Sequence, residues 1–306
     1  MTTAGEAPGV VEEFARPVHP LATFWHDFAH NKGAVAGLAF VVIAVVVALF
    51  ADVLAPYGPA EQFRDAFLAP PAWVDGGSLR FVLGTDDVGR DIFARFNKGA
   101  QMSLAVGAIV VAVGAAIGGA IGLVAGVFRG WLDTVLMRAM DAILAFPPLI
   151  LAMAVTVGLG VGVKTASLGI IITTIPYYAR LLRSDVLRLR SLLFVEAAAA
   201  IGASPARIIM RHIAPHTVST LSIQAAAVFG YAILSLAALG FVGLGVQIPT
   251  PEWGTMITGG LNYALTGQWW IAVFPGIGLL AAVTATSIVA DRARDILDPR
   301  GRYAHV

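Results

Sequence analysis

Cysteine is absent from this chain, and charged residues are scarce. Without a thiol the chain can form no disulfide, no thiolate metal site and no cysteine nucleophile. Asp, Glu, Lys and Arg make up 13% of its 306 residues, whereas soluble domains contain about 25%. The formal net charge is only +1, and no Lys/Arg-rich block suggests a nucleic-acid partner. Together with a mean hydropathy of +0.81, these shortages predict a membrane protein.

Long apolar stretches are abundant. Six of them are long enough to cross a hydrocarbon core about 30 Å thick, which takes about 20 helical residues. We place the spans at about 34–54, 102–127, 139–160, 165–182, 217–244 and 268–290. The residues before the first span lack the features of a cleaved signal peptide, so we expect that span to be retained. The sequence therefore predicts an all-α, multi-pass membrane protein.

Basic residues orient this predicted bundle, because cytoplasmic segments carry the excess of Lys and Arg. With the N-terminus inside, 14 of the 20 basic residues fall in inner segments and 6 in outer ones. Most of the outer ones lie in one long loop, where the bias counts least. We therefore expect both termini to be cytoplasmic.

A short amphipathic segment precedes the first span. Its apolar residues Leu21, Phe24, Trp25 and Phe28 are spaced as one face of a helix. We interpret it as a helix lying in the cytoplasmic membrane interface, in contact with lipid. A helix packed on a partner protein is the alternative.

The cores of the six predicted spans contain no charged side chain. Because intramembrane charge usually marks an ion or proton pathway, its absence argues against a proton-coupled pump. It favours a pathway that opens by rearrangement and is powered from elsewhere. A self-sufficient secondary transporter or channel is the alternative from another class, and it would need polar groups along its path. The candidates for a pathway are Thr173, Thr174, Tyr177, Tyr178, Gln224 and Tyr231.

Glycine recurs every four residues in the second predicted span, at positions 114, 118, 122 and 126. Such a stripe lets another helix approach closely, and packing is our interpretation. A role in substrate passage is the alternative. In the third predicted span, Pro147 and Pro148 can kink the helix.

Two patterns resemble ligand sites but fail on inspection. The stretch GLGVGVKT at 158–165 has Val163 where a phosphate-binding loop requires glycine. His212 and His216 have a spacing that can hold zinc, but Pro215 lies between them and no HExxH glutamate is present. No nucleophile motif appears either. We expect no enzyme active site, no metal site and no ATP site in this chain.

The longest predicted inner loop, residues 183–216, is too polar for a bilayer and contains signals for two short helices. Gly202 suits the left-handed position just past the first helix. Ser204 is a good N-cap and Pro205 a good first residue for the second. We expect Pro215 to end that second helix.

The bend between these two helices predicts a docking element for another protein. The run from Ala197 to Ala200 has little side-chain bulk, so its backbone can enter a groove closely. Arg207 and Arg211, four residues apart, form one basic face. The alternative is a surface helix that only connects two spans, although a connector needs neither this length nor the bend.

This segment resembles the EAA motif of bacterial ATP-binding-cassette (ABC) importer permeases, which reads approximately E-A-A-x-x-x-G, nine residues, I-x-L-P. The matching residues are Glu196, Ala197, Ala198, Gly202 and Pro215. His212 and Ala214 stand where aliphatic residues are usual, so the end of the motif is weaker than its core.

A second stretch narrows the resemblance. LGTDDVGRDIFARFNKGAQMSL, residues 83–104, is similar to the signature before the second span of dipeptide/oligopeptide permeases of the DppC/OppC type. Ala94 and Gln101 replace the serine and arginine usual there. Its characteristic residues here are Gly84, Thr85, Asp86, Gly89, Arg90 and Asp91.

This outer signature predicts a turn leading into a helix, with Thr85 or Asp86 as the cap. We interpret it as a structural element that positions the second span. Contact with a binding protein or a sister permease is the alternative.

The resemblance covers about residues 15–302 and implies a MetI-like ABC importer permease in the bacterial inner membrane. It implies an OppC-type N-terminal region at 1–97 and a type-1 permease domain at 98–306. The implied partners are a homologous sister permease, two cytoplasmic ABC ATPase subunits and an extracytoplasmic substrate-binding protein. The EAA segment would be the coupling helix that docks on an ATPase, with ATP and Mg bound there and no cofactor in this chain. The implied substrates are dipeptides or oligopeptides, with nickel chelates, glutathione or haem as alternatives.

Overall fold

The computed structural model describes residues 20–297, and the regular elements in that range are helices, apart from one isolated bridge between Thr85 and Asp91. They are α1 (Pro20–Ala29), α2 (Lys32–Leu49), α3 (Ala51–Leu54), α4 (Ile92–Phe128), α5 (Gly130–Leu144), α6 (Pro148–Leu159), α7 (Val163–Arg190), α8 (Leu193–Ala200), α9 (Pro205–Ile208), α10 (Ala214–Phe241), α11 (Trp253–Ala264) and α12 (Trp270–Leu297). A π-helical turn, Ile209–Ile213, joins α9 to α10. The predicted all-α class is confirmed, and the two chain termini lie outside the described residues.

Four helices within residues 20–297 are long and apolar enough to cross a membrane: α2, α4, α10 with the turns before it, and α12. The bent pair of α5 and α6 makes a fifth if it forms one span. α7 contains the fourth predicted span, but Lys164 and several threonines and tyrosines make it less apolar than these helices. The structure therefore gives four or five spans by length and composition, and the number six stays a prediction.

The third predicted span, 139–160, is not one helix. α5 ends at Leu144 and α6 begins at Pro148, with an angle of 88° between them. Pro147 has extended backbone, because a residue that precedes proline is driven out of the helical region. The double proline therefore makes a corner instead of a mild kink.

α4 and α7 pack against each other along the centre of the bundle. The glycine stripe of α4 faces α7. An added Cβ at Gly118 would lie 2.5 Å from the carbonyl oxygen of Ile175, and one at Gly122 would lie 2.3 Å from that of Ala179. The predicted packing role of the stripe is confirmed, because only glycine leaves room for this approach.

α1 packs on α12 of the same chain. Phe28 is buried against Ile296, and the Arg292 guanidinium donates to a backbone carbonyl of α1 at 2.5 Å. Trp25 remains 54% exposed. The predicted helix is confirmed, although the side chain of Leu21 lies outside the described part. Contact of α1 with lipid or with a partner stays a prediction.

Candidate functional site

The predicted docking segment lies between α7 and α10. α7 continues as a helix to Arg190, so the polar segment begins further along the chain than predicted. A turn at Ser191 and Leu192 leads into α8. Ser204 accepts a hydrogen bond from the backbone N–H of Arg207 at 3.4 Å, which confirms it as the cap of α9. The first of the two helices predicted from the sequence is therefore α8, and the second begins as α9.

The bend between them is fixed by the end of α8. Gly202 has a φ of +84°, which confirms the predicted left-handed position. Its N–H donates to the carbonyl of Ala199, and the N–H of Ala203 donates to that of Ala198, both at 3.0 Å. This pair of bonds satisfies the last carbonyls of a helix that a glycine terminates. The bend therefore has a defined geometry.

Pro215 does not end the second helix, so that prediction was wrong. The N–H of Ala214 donates to the carbonyl of Ile209, five residues earlier, and this widens the helix into the π turn. A proline lacks an N–H, and its ring crowds the carbonyl four residues before it, so the wider turn gives it room. The helix consequently runs without a break from Ala206 to Phe241.

The surface of this bend that faces away from the bundle is exposed. Its exposed residues are Glu196, Ala197, Gly202, Arg207, Arg211 and Pro215. Val195 and Ala198 are each only 6% exposed and face the bundle. Of the predicted docking residues, Ala198 alone therefore lies on the inner side, where its small side chain lets α8 lie close to its neighbours.

An apolar cluster anchors the bend to the bundle. Val186 and Leu189 of α7 are buried with Ile213 of the π turn, and Leu123 and Val127 of α4 pack against them. The bend is therefore in direct packed contact with α4 and α7.

The two histidines of the segment pack on an aromatic ring. The ring of Phe194 lies 6.4 Å from that of His212 and 5.6 Å from that of His216, measured between centroids. Among residues 20–297 no three His, Cys, Asp or Glu side chains are grouped as metal ligands would be.

The outer signature is folded into the loop before α4. Thr85 is fully buried, and its hydroxyl donates to the carbonyl of Ala66 at 2.5 Å and accepts from the N–H of Ala69 at 2.8 Å. The indole of Trp270 donates to the carbonyl of Thr85 at 3.0 Å. Gly84, with a φ of +81°, leaves space for that indole. These contacts join the outer loop to the start of α12.

Asp86 is the centre of a buried ionic network. It is 3% exposed, and its Oδ2 accepts from Nε of Arg90 at 2.6 Å and lies 3.5 Å from Nε of Arg95. Its Oδ1 accepts from the backbone N–H of Arg90 at 2.9 Å. Gly89, with a φ of +77°, makes the tight turn that brings Arg90 back onto Asp86. Charge-assisted bonds of this kind hold the loop in one shape.

Asp91 is the N-cap of α4, so the prediction that Thr85 or Asp86 fills this role was wrong. The Asp91 carboxylate accepts from the N–H groups of Phe93 and Ala94 at 3.2 and 3.1 Å. Thr85 and Asp86 cannot cap the helix, because their side chains bond within the loop. Burial raises the pKa of Asp91 above its usual value, while the two backbone hydrogen bonds act in the opposite direction.

Replacing Asp86 by alanine is expected to lower the free energy of unfolding by about 3–5 kcal/mol, because the largely buried guanidinium of Arg90 then has no carboxylate partner at this position. The measurement is chemical unfolding of the detergent-purified permease. The neighbouring Asp87 is the matched control: its side chain is 41% exposed and lies 3.8 Å from Arg90. Asp87→Ala should lower the free energy of unfolding by less than about 1 kcal/mol. Equal losses from the two substitutions would contradict the network.

Four of the six predicted pathway residues line one cavity between α7 and α10. Tyr177, Gln224 and Tyr231 border a cavity of about 230 Å³ together with Thr174. Tyr178 is instead fully buried against the glycine stripe of α4, and its hydroxyl has no hydrogen-bond partner in the described part of the chain. The structure thus separates two adjacent tyrosines, one facing a cavity and one packed.

One buried carboxylate was not predicted. Glu252, fully buried, accepts from the N–H groups of Gly254 and Thr255 at 2.8 and 3.0 Å and from the hydroxyl of Ser103 at 3.3 Å. Burial raises the pKa of Glu252, and these hydrogen bonds oppose that shift. It caps α11 and ties that helix to α4. Glutamate is not among the preferred N-cap residues, so its place directly before Trp253 is only a weak local signal for the start of α11.

The arrangement of helices is similar to that of a solved ABC transporter chain. The structure is similar to a chain of the MetNI methionine ABC transporter in an inward-facing conformation, with a TM-score of 0.54 and 21% sequence identity. The match covers 66% of this chain and 95% of that one. At this identity the likeness shows the fold alone, and it is the expected MetI-like fold.

Sequence comparison narrows this class. Residues 118–303 match the family described as binding-protein-dependent transport system inner membrane component, and residues 19–71 match the N-terminal TM domain of oligopeptide transport permease C. The dipeptide transport system permease protein DppC of Escherichia coli (strain K12) is 46% identical over 284 residues, which cover 93% of this chain and 94% of that protein. This chain belongs to the binding-protein-dependent permeases, and within them to the dipeptide permease family.

Two further relatives show the range of the family. The di/tripeptide transport system permease protein DppC of Pseudomonas aeruginosa (strain UCBPP-PA14) is 43% identical, with 93% of this chain and 94% of that protein covered. The glutathione transport system permease protein GsiD of Escherichia coli O6:K15:H31 (strain 536 / UPEC) is 41% identical, with 92% and 91% covered. The chain is therefore an inner-membrane, multi-pass permease component of an ABC transporter, a class of subunit that is not itself an enzyme.

Proposed function

We propose that this chain imports dipeptides and short oligopeptides as one half of a permease pair, the other half being a homologous sister permease. Two cytoplasmic ATPase subunits, which hold the ATP and Mg, would supply the energy, and an extracytoplasmic binding protein would deliver the substrate. The observation that carries the proposal is the bend at Gly202, whose geometry is fixed and whose surface away from the bundle is exposed. The names of the dipeptide and di/tripeptide relatives support the substrate class.

α8 and α9 form the ATPase-docking surface in this proposal. Glu196 lies exposed in the first turn of α8 and can pair with a basic residue of the ATPase. Ala197 adds almost no bulk, while Arg207 and Arg211 add positive charge beside it. Closure of the ATPase pair on ATP would then move α7 and α10, the two helices that this surface connects.

The proposed topology has six spans with both termini in the cytoplasm, the bent pair being the third span and α7 the fourth. The division into 1–97 and 98–306 is also retained, and it falls within the second turn of α4. Two family matches on opposite sides of that division support it. Because the chain has no cysteine, the side on which an introduced cysteine reacts with an impermeant maleimide is the direct measurement of topology.

The outer signature is proposed to position the start of α4. Thr85, Asp86 and Asp91 are at most 3% exposed, so they offer little surface to a binding protein. A stability loss in Asp86→Ala with unchanged binding-protein affinity of the folded fraction supports this role. Loss of that affinity alone would favour the contact role.

Tyr177 is proposed to contact the passing substrate, because it lines the cavity with 45% exposure. Tyr177→Phe should slow dipeptide uptake about fivefold, which corresponds to one lost hydrogen bond of about 1 kcal/mol. Tyr178→Phe is the matched control, since it removes a buried hydroxyl that has no partner among the described residues. The measurement is uptake of labelled dialanine by proteoliposomes that contain the whole complex. Equal rates for the two variants would remove Tyr177 from the pathway.

The same proteoliposomes test the function itself. Uptake is expected only with ATP on the ATPase side and the binding protein on the other. Uptake without ATP would instead indicate a self-sufficient transporter. Stronger competition by glutathione, nickel chelates or haem than by unlabelled dialanine would reassign the substrate, and the glutathione relative makes that competitor the first to use.

A further inference from the structure

Three arginines follow one face of the cytoplasmic half of α7. Arg180, Arg183 and Arg190 are spaced at i, i+3 and i+10, which places them within about 80° of one another around the helix axis. Each one reaches a neighbouring helix. We use the name α7 clasp for these three arginines together with the groups that they bind on α4 and α5.

Two members of the clasp bind α5. Arg183 donates to Asp133 through Nε at 2.5 Å and through Nη2 at 2.7 Å, a two-pronged arrangement that fixes direction as well as distance. Arg180 donates to Asp141 through Nη2 at 2.5 Å. Asp133 and Asp141 are eight residues apart, so the two pairs hold α5 at two points about 12 Å apart along its axis.

The third member binds the end of α4. Nη1 of Arg190 donates to the carbonyls of Gly126 and Val127. These carbonyls belong to the last turn of α4, where no further helical N–H is available, and the helix dipole there favours a cation. The clasp therefore ties α4 and α5 to α7 at the end of the bundle that carries α8.

α5 depends on these polar contacts more than the other long helices do. It packs principally on α4 and α7, and Met140 is its one buried residue. A helix with so little buried apolar surface has few other contacts to set its position. The Arg183–Asp133 pair is the better shielded of the two, with side chains 34% and 14% exposed, against 51% and 42% for Arg180–Asp141.

We propose that the α7 clasp makes α5 move with α8, so that Arg183 and Asp133 are positioning residues for energy coupling. The proposal rests on the docking role of α8 given above. When an ATPase displaces α8, the clasp transmits that displacement through α7 to α5, whereas α6 follows through its own packing on α7. Without the clasp, α7 would still move but α5 would lag behind it.

The test is a distance measurement between α5 and α8 in the complete transporter. Because the chain has no cysteine, spin labels can be attached at Trp131→Cys and at Leu192→Cys, which lies in the turn before α8 and outside the docking surface; the two positions are 76% and 37% exposed. The partner subunits would be made cysteine-free. With the clasp intact, the distance distribution should be equally narrow with and without ATP. In Asp133→Asn it should be at least about twofold broader, because α5 then samples a second arrangement.

Two further variants decide between coupling and a general loss of structure. Exchanging the charges, Asp133→Arg with Arg183→Asp, should restore the narrow distribution, which a merely damaged fold would not recover. Arg188→Gln is the matched control, because Arg188 is 63% exposed and its ion pair with Asp185 stays within α7. It should leave the distribution unchanged.

The outcomes separate this proposal from the docking proposal. A distribution in Asp133→Asn as narrow as in the unaltered chain would overturn the clasp, as would a charge exchange that stays broad. The broadening is expected in the permease pair alone, so it can be read even if no ATPase co-purifies. Full retention of ATPase subunits by the Gly202→Val variant would instead reject the bend after α8 as the docking site.

Discussion

Valine at position 202 is expected to reduce ATP-driven uptake about tenfold while the permease still folds in the membrane. Gly202 has a φ of +84°, where a β-branched residue is strained by about 1–2 kcal/mol. An added Cβ would meet no atom within 4 Å, so the cost falls on the backbone of the bend alone. The fraction of bends shaped for docking falls accordingly, and the apparent ATPase affinity falls with it. Co-purification of ATPase subunits and dialanine uptake are the two measurements.

Gly243 supplies a matched control for this substitution. It follows α10 with a φ of +80°, and its N–H and that of Leu244 make the same pair of bonds, to Gly240 and Leu239, at 2.9 and 2.8 Å. It also has no atom within 4 Å of an added Cβ. Gly243→Val therefore carries the same backbone cost at the opposite end of α10. It should leave ATPase binding intact, and equal loss of ATPase from the two variants would contradict the docking surface.

Sequence reasoning succeeded at this bend because the determinants are local. A glycine after an alanine run favours a helix end, and a serine two residues later favours the start of the next helix. The structure has both features, at Gly202 and Ser204. The same reasoning failed at Pro215, because a π turn relieves the clash that normally stops a helix there. Such a turn has no reliable sequence signal. Local rules therefore identified the bend and missed the continuous helix beyond it.

The N-cap of α4 shows a second limit of prediction from the sequence. Thr85, Asp86 and Asp91 are all suitable cap residues, and residue type alone does not rank them. Asp91 is the cap because the Thr85 side chain bonds within the loop and the Asp86 side chain bonds to Arg90. Those partners are set by the fold of the loop.

The α7 clasp could not be read from the sequence at all. In the sequence, the arginines of α7 are evidence only for the orientation of the chain in the membrane. Arg183 and Asp133 lie 50 residues apart in the chain, and no spacing rule connects positions at that distance. The glycine stripe of α4 was readable because its repeat is a helical period, although the identity of the facing helix was not.

Leucine at Gly122 is expected to prevent the permease from accumulating in folded form. An added Cβ there would lie 2.3 Å from the carbonyl oxygen of Ala179, which is backbone and cannot rotate away. α4 and α7 must then separate, and this loosens the contact at the centre of the bundle. Even Gly122→Ala should lower the free energy of unfolding by about 1–3 kcal/mol through overpacking. Membrane yield tests the first variant, and unfolding of the detergent-purified chain tests the second.

Gly119 lies one turn earlier on α4 and provides the matched comparison. A Cβ there would lie 3.4 Å from a methyl of Leu182, which is ordinary contact, so Gly119→Ala should be neutral or stabilising. Equal destabilisation by alanine at both positions would contradict close α4–α7 packing. The comparison also bears on coupling: α4 and α7 can carry motion from α8 as one body only while their backbones stay in contact, and Gly122 is where that contact is tightest within the stripe.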